Sequence, residues 1–219
     1  MKNIVVAIDG PAGAGKTSIA KILAKECNLT MIDTGAMYRC VALKTIENNI
    51  TDEEKIIELT KNIKIEFAND KVYLDDIDVT FKIRSKEVND IVSPISSIVE
   101  VRRILVEMQR KLCEGKDVIM EGRDITTVVL PNANYKFYLD ANIEERAKRR
   151  YKEQKEKNMD ISYEEILENI EKRDYNDMHK KEGSLTIAKD AVYIDTTNMT
   201  IDEVVSKMKN IIGSEIYES

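Results

Sequence analysis

Gly10-Pro11-Ala12-Gly13-Ala14-Gly15-Lys16-Thr17 is the stretch on which the fold of this chain turns. It fits G-x-x-x-x-G-K-[ST] at every fixed position. Before it stands Ile4-Val5-Val6-Ala7-Ile8, a short apolar, β-branched run that predicts a buried strand. After it, Ile19, Ile22, Leu23 and Cys27 recur at helical spacing. The motif therefore lies between a strand and a helix, the context that gives it meaning. Its glycines let the backbone wrap closely around an anion, and successive N–H groups form an anion-binding nest. The helix N-terminus adds partial positive charge. Such a loop predicts a nucleoside triphosphate, with Lys16 on the β- and γ-phosphates and the Thr17 hydroxyl on Mg²⁺. Ser18 completes the ATP-binding set that begins at Gly10.

Outward from the loop, Leu29-Thr30-Met31-Ile32-Asp33 predicts a second strand, and Thr34-Gly35 turns the chain into a helix over 36–48. Thr51 with Glu54 fits a capping box, followed by the helical stripe Ile56, Leu59 and Ile63. The period then falls to two. Ile65 and Phe67, Val72 and Leu74, then Ile77 and Val79 alternate with polar residues, with Asn69-Asp70 and Asp75-Asp76 as turns. Three short antiparallel strands over 63–80 are expected, as an insertion in an alternating α/β chain. A helix over 85–92 follows. Ser93-Pro94 predicts a second helix start, with Ser93 as N-cap and Gly115 ending the helix.

Asp117-Val118-Ile119-Met120-Glu121 and the run 135–139 predict the third and fourth core strands, and Val192-Tyr193-Ile194-Asp195 the fifth. Asn142 with Glu145, Ser162 with Glu165 and Thr200 with Glu203 predict three helix starts. Five strands separated by helices predict an α/β, doubly wound, mainly parallel sheet. Ligands in such sheets sit beyond the carboxyl ends of the strands. The segments 10–17, 34–39 and 122–124 all follow such ends.

The 219 residues suit one domain with an insert. With 40 acidic against 34 basic residues, the net charge of −6 speaks against a general nucleic-acid or membrane surface, so any anion site must be locally basic. The three cysteines, far apart, suggest no disulfide framework, and a reduced, cytoplasmic setting is expected. The apolar start leads straight into the loop, so no secretion signal or membrane span is expected. A single histidine, His179, excludes a His-based triad or zinc site.

A regulatory GTPase would carry N-K-x-D and D-x-x-G, and neither occurs. A small-molecule kinase needs arginines at the acceptor, because two anionic groups must be brought together. Arg39, Arg102 and Arg123 fall at suitable places. Arg173, Asp177 and Lys180 share one helical face, where Arg173 and Asp177 fit an i,i+4 ion pair as well. The charged run 146–157 by itself predicts an exposed helix with i,i+4 pairs.

With these residues in view, the chain resembles the bacterial-type cytidylate kinases over nearly its whole length. The resemblance rests on the phosphate loop, Asp33-Thr34-Gly35-Ala36-Met37-Tyr38-Arg39, Glu121-Gly122-Arg123-Asp124 with Thr127-Val128-Val129, Glu144-Glu145-Arg146-Ala147 with Arg149-Arg150, Arg173-Asp174 with Asp177, and Asp195-Thr196-Thr197. It implies phosphoryl transfer from ATP to CMP or dCMP. It also implies one kinase domain over 1–219, an inserted monophosphate-binding subdomain at about 36–98, and a lid at about 146–162. Thr34, Arg39 and Arg123 would lie near the acceptor phosphate. Ser93, Arg102 and Asp124 would read the cytosine edge, and Arg173 and Asp177 would meet the sugar hydroxyls. Lys16, Arg123, Arg146 and Arg150 would serve the transferring group, with Arg146 and Arg150 arriving on lid closure. Mg²⁺ would be the metal, and a monomer is expected. Lys180, where relatives often have arginine, and Thr126, in place of a common glycine, depart from the pattern. A kinase for another monophosphate (UMP or AMP) and a non-catalytic nucleotide-gated module are the competing readings.

Overall fold

β1, Val5–Asp9, is buried along almost its whole length, as a strand covered on both faces must be. In the computed structural model, which describes residues 3–68, 70–156 and 161–216, α1 (Lys16–Glu26) follows the phosphate loop, then β2 (Thr30–Asp33) and α2 (Thr34–Glu47). Next come α3 (Glu53–Asn62) and the short strands β3 (Ile65–Ala68), β4 (Lys71–Leu74) and β5 (Ile77–Asp78). The chain continues through α4 (Lys86–Ile95), α5 (Val99–Cys113), β6 (Val118–Gly122), β7 (Tyr135–Asp140), α6 (Ile143–Glu156), α7 (Tyr163–Met178), β8 (Val192–Asp195) and α8 (Ile201–Ile216).

The larger sheet has five strands in the order β2-β6-β1-β7-β8. β1 pairs in parallel with β6 and β7, and β7 with β8, with Asp9 opposite Gly122 on one side and Tyr138 on the other. The doubly wound sheet expected from five strands separated by helices is thus present. The chain divides into two compact units, Ile32–Glu114 and the remainder, Met1–Met31 with Gly115–Ser219.

In the larger unit, Val6, Ile8, Phe137, Leu139 and Ile194 of the sheet pack with Ile19 and Leu23 of α1 and with Val204, Met208 and Ile212 of α8. On α8, Val204, Val205, Met208 and Ile212 are buried, whereas Ile201 at its start is exposed. Ala147, Ile166 and Ile170 form a smaller core that joins α6 to α7. All three expected caps are present. Asn142 Oδ1 accepts from the Glu145 N–H at 2.8 Å, and Ser162 with Glu165 forms a full capping box. Thr200 Oγ1 accepts from the Glu203 N–H at a longer 3.3 Å, while Glu203 reaches back to the Thr200 N–H at 2.8 Å.

In the unit Ile32–Glu114 the antiparallel meander is present, with Ile65 opposite Leu74 and Leu74 opposite Ile77. Asp70, Asp75 and Asp76 adopt positive φ, and Asp75 also accepts from the Lys64 N–H at 2.9 Å. Asn69 of the first expected turn lies outside the described residues. Three local readings are corrected. α2 begins at Thr34 because the Asp33 carboxylate accepts from the Ala36 N–H at 2.9 Å. The cap of α3 is Asp52, which accepts from the Lys55 N–H at 3.0 Å, one residue later than the Thr51–Glu54 box. Ser93 is no N-cap. It lies inside α4 with Pro94: the helix expected over 85–92 is capped by Ser85, whose Oγ accepts from the Val88 N–H, and runs on to Ile95, so the second helix, α5, starts only at Val99. Pro94 lies in the last turn of α4, where the Ser93 carbonyl accepts from the hydroxyls of Ser96 and Ser97.

Candidate functional site

Gly10 leaves β1 at the point where an added Cβ would stand 1.9 Å from the Leu139 carbonyl oxygen. Only glycine fits so close an approach. Gly15, at φ 87, is the left-handed N-cap of α1, which has no acidic residue in its first turn. The helix thus places no carboxylate of its own against the partial positive charge of its N-terminus. Lys16 is 5% exposed, and its Nζ donates to the Pro11 carbonyl at 2.8 Å. Burial and the nearby Arg123 and Arg173 guanidiniums lower its ammonium to about 7, although Glu121 and Asp9 oppose the shift. An arriving polyphosphate would reverse that deficit of negative charge. The Thr17 hydroxyl donates to Glu121 Oε1 at 2.6 Å, and Glu121 is buried. This pairs two hard oxygen donors beside the loop, chemistry suited to Mg²⁺. Among the described residues, no group of three or more His, Cys, Asp or Glu is arranged to hold a metal.

At the end of β6, Arg123 Nε donates to Asp177 Oδ2 at 2.8 Å, and Nη1 reaches the Gly122 carbonyl. Lys180 Nζ donates to Asp177 Oδ1 at 2.9 Å, and Arg173 stands 4.0 Å away. Burial by itself would raise the Asp177 carboxyl. The charges of Arg123, Lys180 and Arg173 outweigh it and hold the group far below the usual carboxylate range. α7 ends at Met178, so Lys180 turns back onto Asp177 from beyond the helix. Asp124 is buried and opens a single turn of π-helix, Ile125–Val129, a feature the period of the sequence did not signal.

Arg146 is buried. Its guanidinium donates to the carbonyls of Ala141 (2.9 Å) and Ala12 (3.0 Å) and to Asp174 Oδ2 (2.6 Å). It is therefore tied to the phosphate loop itself, in contrast to the expected arrival on closure. Arg150, half-exposed, pairs with Glu153 at 2.8 Å. The expected exposed helix with i,i+4 pairs holds for Arg149–Glu145 at 3.1 Å. Of the proposed lid at 146–162, residues 157–160 lie outside the described residues.

In the unit Ile32–Glu114, Thr34 opens α2, whose first turn is free of acidic residues. An added Cβ at Gly35 would stand 3.1 Å from Arg39 Nη1 and from Asp33 Oδ1, so the glycine makes room for both. Asp33 Oδ2 also accepts from Arg84 at 3.3 Å. Arg102 is buried, donates to the Ser96 carbonyl at 3.4 Å and lies 5.7 Å above the Tyr38 ring. Ser93 is half-buried.

The structure thus brings Lys16, Thr17, Arg123, Arg146, Arg173 and Asp177 into one unit, and Thr34, Arg39, Ser93 and Arg102 into the other. Four participants escaped the sequence. Glu121 sat inside a quoted motif without a role. Asp174, Arg84 and above all Asp9 carried no periodicity or spacing signal. Asp9 is fully buried and accepts from the N–H groups of Ile125 (2.8 Å) and Thr126 (2.7 Å) and from the Thr126 hydroxyl (2.6 Å). Its carboxyl is raised to about 6 by burial, against the opposing hydrogen bonds from Thr126 and Ile125.

A family model described as cytidylate kinase matches residues 6–214. A cytidylate kinase of Fusobacterium nucleatum is 51% identical over 208 residues, covering 94% of this chain and 95% of its own length. One from Leuconostoc mesenteroides is 49% identical over 222 residues, covering 99% of both chains. Among solved structures, an uncharacterized protein from Eubacterium ventriosum aligns with a TM-score of 0.54 at 12% identity, covering 97% of this chain and 99% of its own. Shikimate kinase from Bacteroides thetaiotaomicron aligns at 0.50 and 12% identity, covering 96% and 98%. The structural likenesses speak for the fold alone. The family match and the two sequence relatives, running nearly end to end, show that the chain belongs to the cytidylate kinase family.

Proposed function

We propose that the chain transfers the γ-phosphoryl group of ATP to CMP or dCMP, giving ADP and CDP or dCDP. The observation that carries this reading is the end-to-end match to proteins named cytidylate kinase at about half identity. The acceptor oxygen is already anionic, so no general base is assigned. Catalysis is positioning and charge neutralisation. Lys16 and the backbone N–H groups of 10–18, Pro11 excepted, hold the donor phosphates, and Thr17 with those phosphates would hold Mg²⁺. When bound, that ion offsets charge on the β- and γ-oxygens. Glu121, hydrogen-bonded to Thr17, orients its hydroxyl.

From the unit Ile32–Glu114, which extends beyond the 36–98 proposed as the monophosphate-binding subdomain, Thr34 and Arg39 are assigned to the acceptor phosphate. Ser93 and Arg102 are assigned to the cytosine edge. From the other unit, Arg123 neutralises the acceptor and the transferring group, Asp124 reads the base, and Arg173 and Asp177 meet the sugar hydroxyls. Arg146 braces the loop through the Ala12 carbonyl and presents its charge there. Arg150 sits on the segment 146–162, which acts as the lid that excludes water.

An ADP-release assay with Mg·ATP and CMP, dCMP, UMP, AMP and GMP in turn tests this. Turnover confined to CMP and dCMP is expected. Comparable turnover of AMP or GMP would remove Ser93, Arg102 and Asp124 from base selection. Nucleotide binding without turnover of any monophosphate would make the chain a binding module.

A further inference from the structure

Arg123 and Asp124 form a two-residue span held at both ends by one residue. On one side Gly122 is in parallel register with Asp9, the last residue of β1. On the other, the Asp9 carboxylate accepts the N–H groups of Ile125 at 2.8 Å and Thr126 at 2.7 Å. The Thr126 hydroxyl adds a third bond at 2.6 Å, to the same oxygen as its own N–H. Asp9 also precedes Gly10 directly, so the loop that takes the donor phosphates starts from the same residue. A charged acceptor that is fully buried and filled by three neutral donors has no geometric slack. Asp9 itself is held in the sheet between Gly122 and Tyr138, so loss of a donor at 126 loosens the span 123–124 and leaves the start of the phosphate loop in place.

We propose that Asp9 and Thr126 are positioning residues for the acceptor, with the Thr126 hydroxyl supplying the bond that clamps Arg123 and Asp124 in register with the phosphate loop. The inference rests on the proposed CMP kinase activity. Neither residue touches a substrate in it. Two of the three bonds come from backbone N–H groups, so the Thr126 hydroxyl is the part of the clamp that a side-chain change can remove.

The clamp has a titratable part. Burial raises the Asp9 carboxyl to about 6, and the Thr126 hydroxyl is the foremost of the bonds that hold it down. The groups whose charges act with that of Asp9 are Asp124 in the clamped span, Lys16 at the start of α1 and Tyr138 on β7. On protonation, Asp9 loses the negative charge that strengthens its bonds to Ile125 and Thr126, and the clamp weakens.

The test compares the wild type with Thr126→Val, which removes only the hydroxyl, and Thr126→Ser, which retains it. Thr126→Ala stands in should the valine protein not fold by circular dichroism. Steady-state constants for CMP and for ATP are measured across pH 5 to 8. The valine variant is expected to raise KM for CMP about 10-fold, as loss of a bond to a charged group implies, with KM for ATP within about 2-fold. The acid limb of its kcat/KM for CMP moves to higher pH. The substrate phosphate titrates identically in all variants, so that movement belongs to the protein. The serine variant restores both constants. Equal rises in both KM values, or a serine variant no better than valine, overturn the clamp while leaving the kinase intact. A wild type that does not turn over CMP overturns the function and the inference with it.

Discussion

Asp177→Asn puts the charge cluster at the end of α7 under direct test. The Asp177 side chain is 6% exposed, and its two oxygens take Arg123 at 2.8 Å and Lys180 at 2.9 Å, with Arg123 itself 18% exposed. Asparagine keeps the volume and opens no cavity, so only the charge is lost. The change strands two nearly buried cations against an amide, a situation that costs about 3–5 kcal/mol. In a chain of this size each kcal/mol displaces Tm by about 2–4 °C, so a fall on the order of 10 °C is expected at neutral pH. Urea unfolding followed by far-UV circular dichroism suits a chain without tryptophan. The pH dependence carries a sign. The folded carboxyl is held far below its ordinary 3.8. Its stabilisation is therefore fully present above the ordinary value and is lost as pH falls toward the folded one. The gap between wild type and variant should stay constant from about pH 5 to pH 8 and close below about pH 4. A gap under about 1 kcal/mol at pH 7, or one that widens with acid, would refute the buried-cluster account.

Three further outcomes follow from the same geometry. Lys16→Ala should lower kcat by at least about 10²-fold with an unchanged circular dichroism spectrum, because the buried side chain is the one proposed to hold the donor phosphates; near-normal turnover would sink the mechanism. Asp124→Ala should cut kcat/KM for CMP by at least about 10-fold, the effect of one lost buried polar contact, and an unchanged monophosphate profile would take it out of the base pocket. Gly10→Ala should destabilise the protein by roughly 3 kcal/mol or more, since its Cβ would overlap the Leu139 carbonyl oxygen at 1.9 Å; a wild-type urea midpoint would show that β7 yields more easily than the packing indicates.

Much of this protein was legible before any coordinates. The phosphate loop carries its meaning in local backbone demands, and Gly10, Gly15, Lys16 and Thr17 meet them where the motif says they should. The two-residue period of the meander and the capping pair Ser162–Glu165 are short-range patterns, and both stand in the structure. Short-range patterns also misled where two local signals competed. Ser93-Pro94 satisfies a helix start, yet the helix expected from 85 runs on through the proline to Ile95, and the next one starts at Val99. Tertiary structure alone decided which charges are buried together. Arg102, beside an apolar stripe, is drawn over Tyr38; Arg146, in a charged run, is drawn inward to Ala12 and Asp174. Asp9 and Thr126 are 117 residues apart, and no spacing rule links them. Only the parallel pairing of β1 with β6 brings the carboxylate to the loop after Gly122. A buried charge must find its donors wherever the fold delivers them, and delivery across that distance is a property of the sheet.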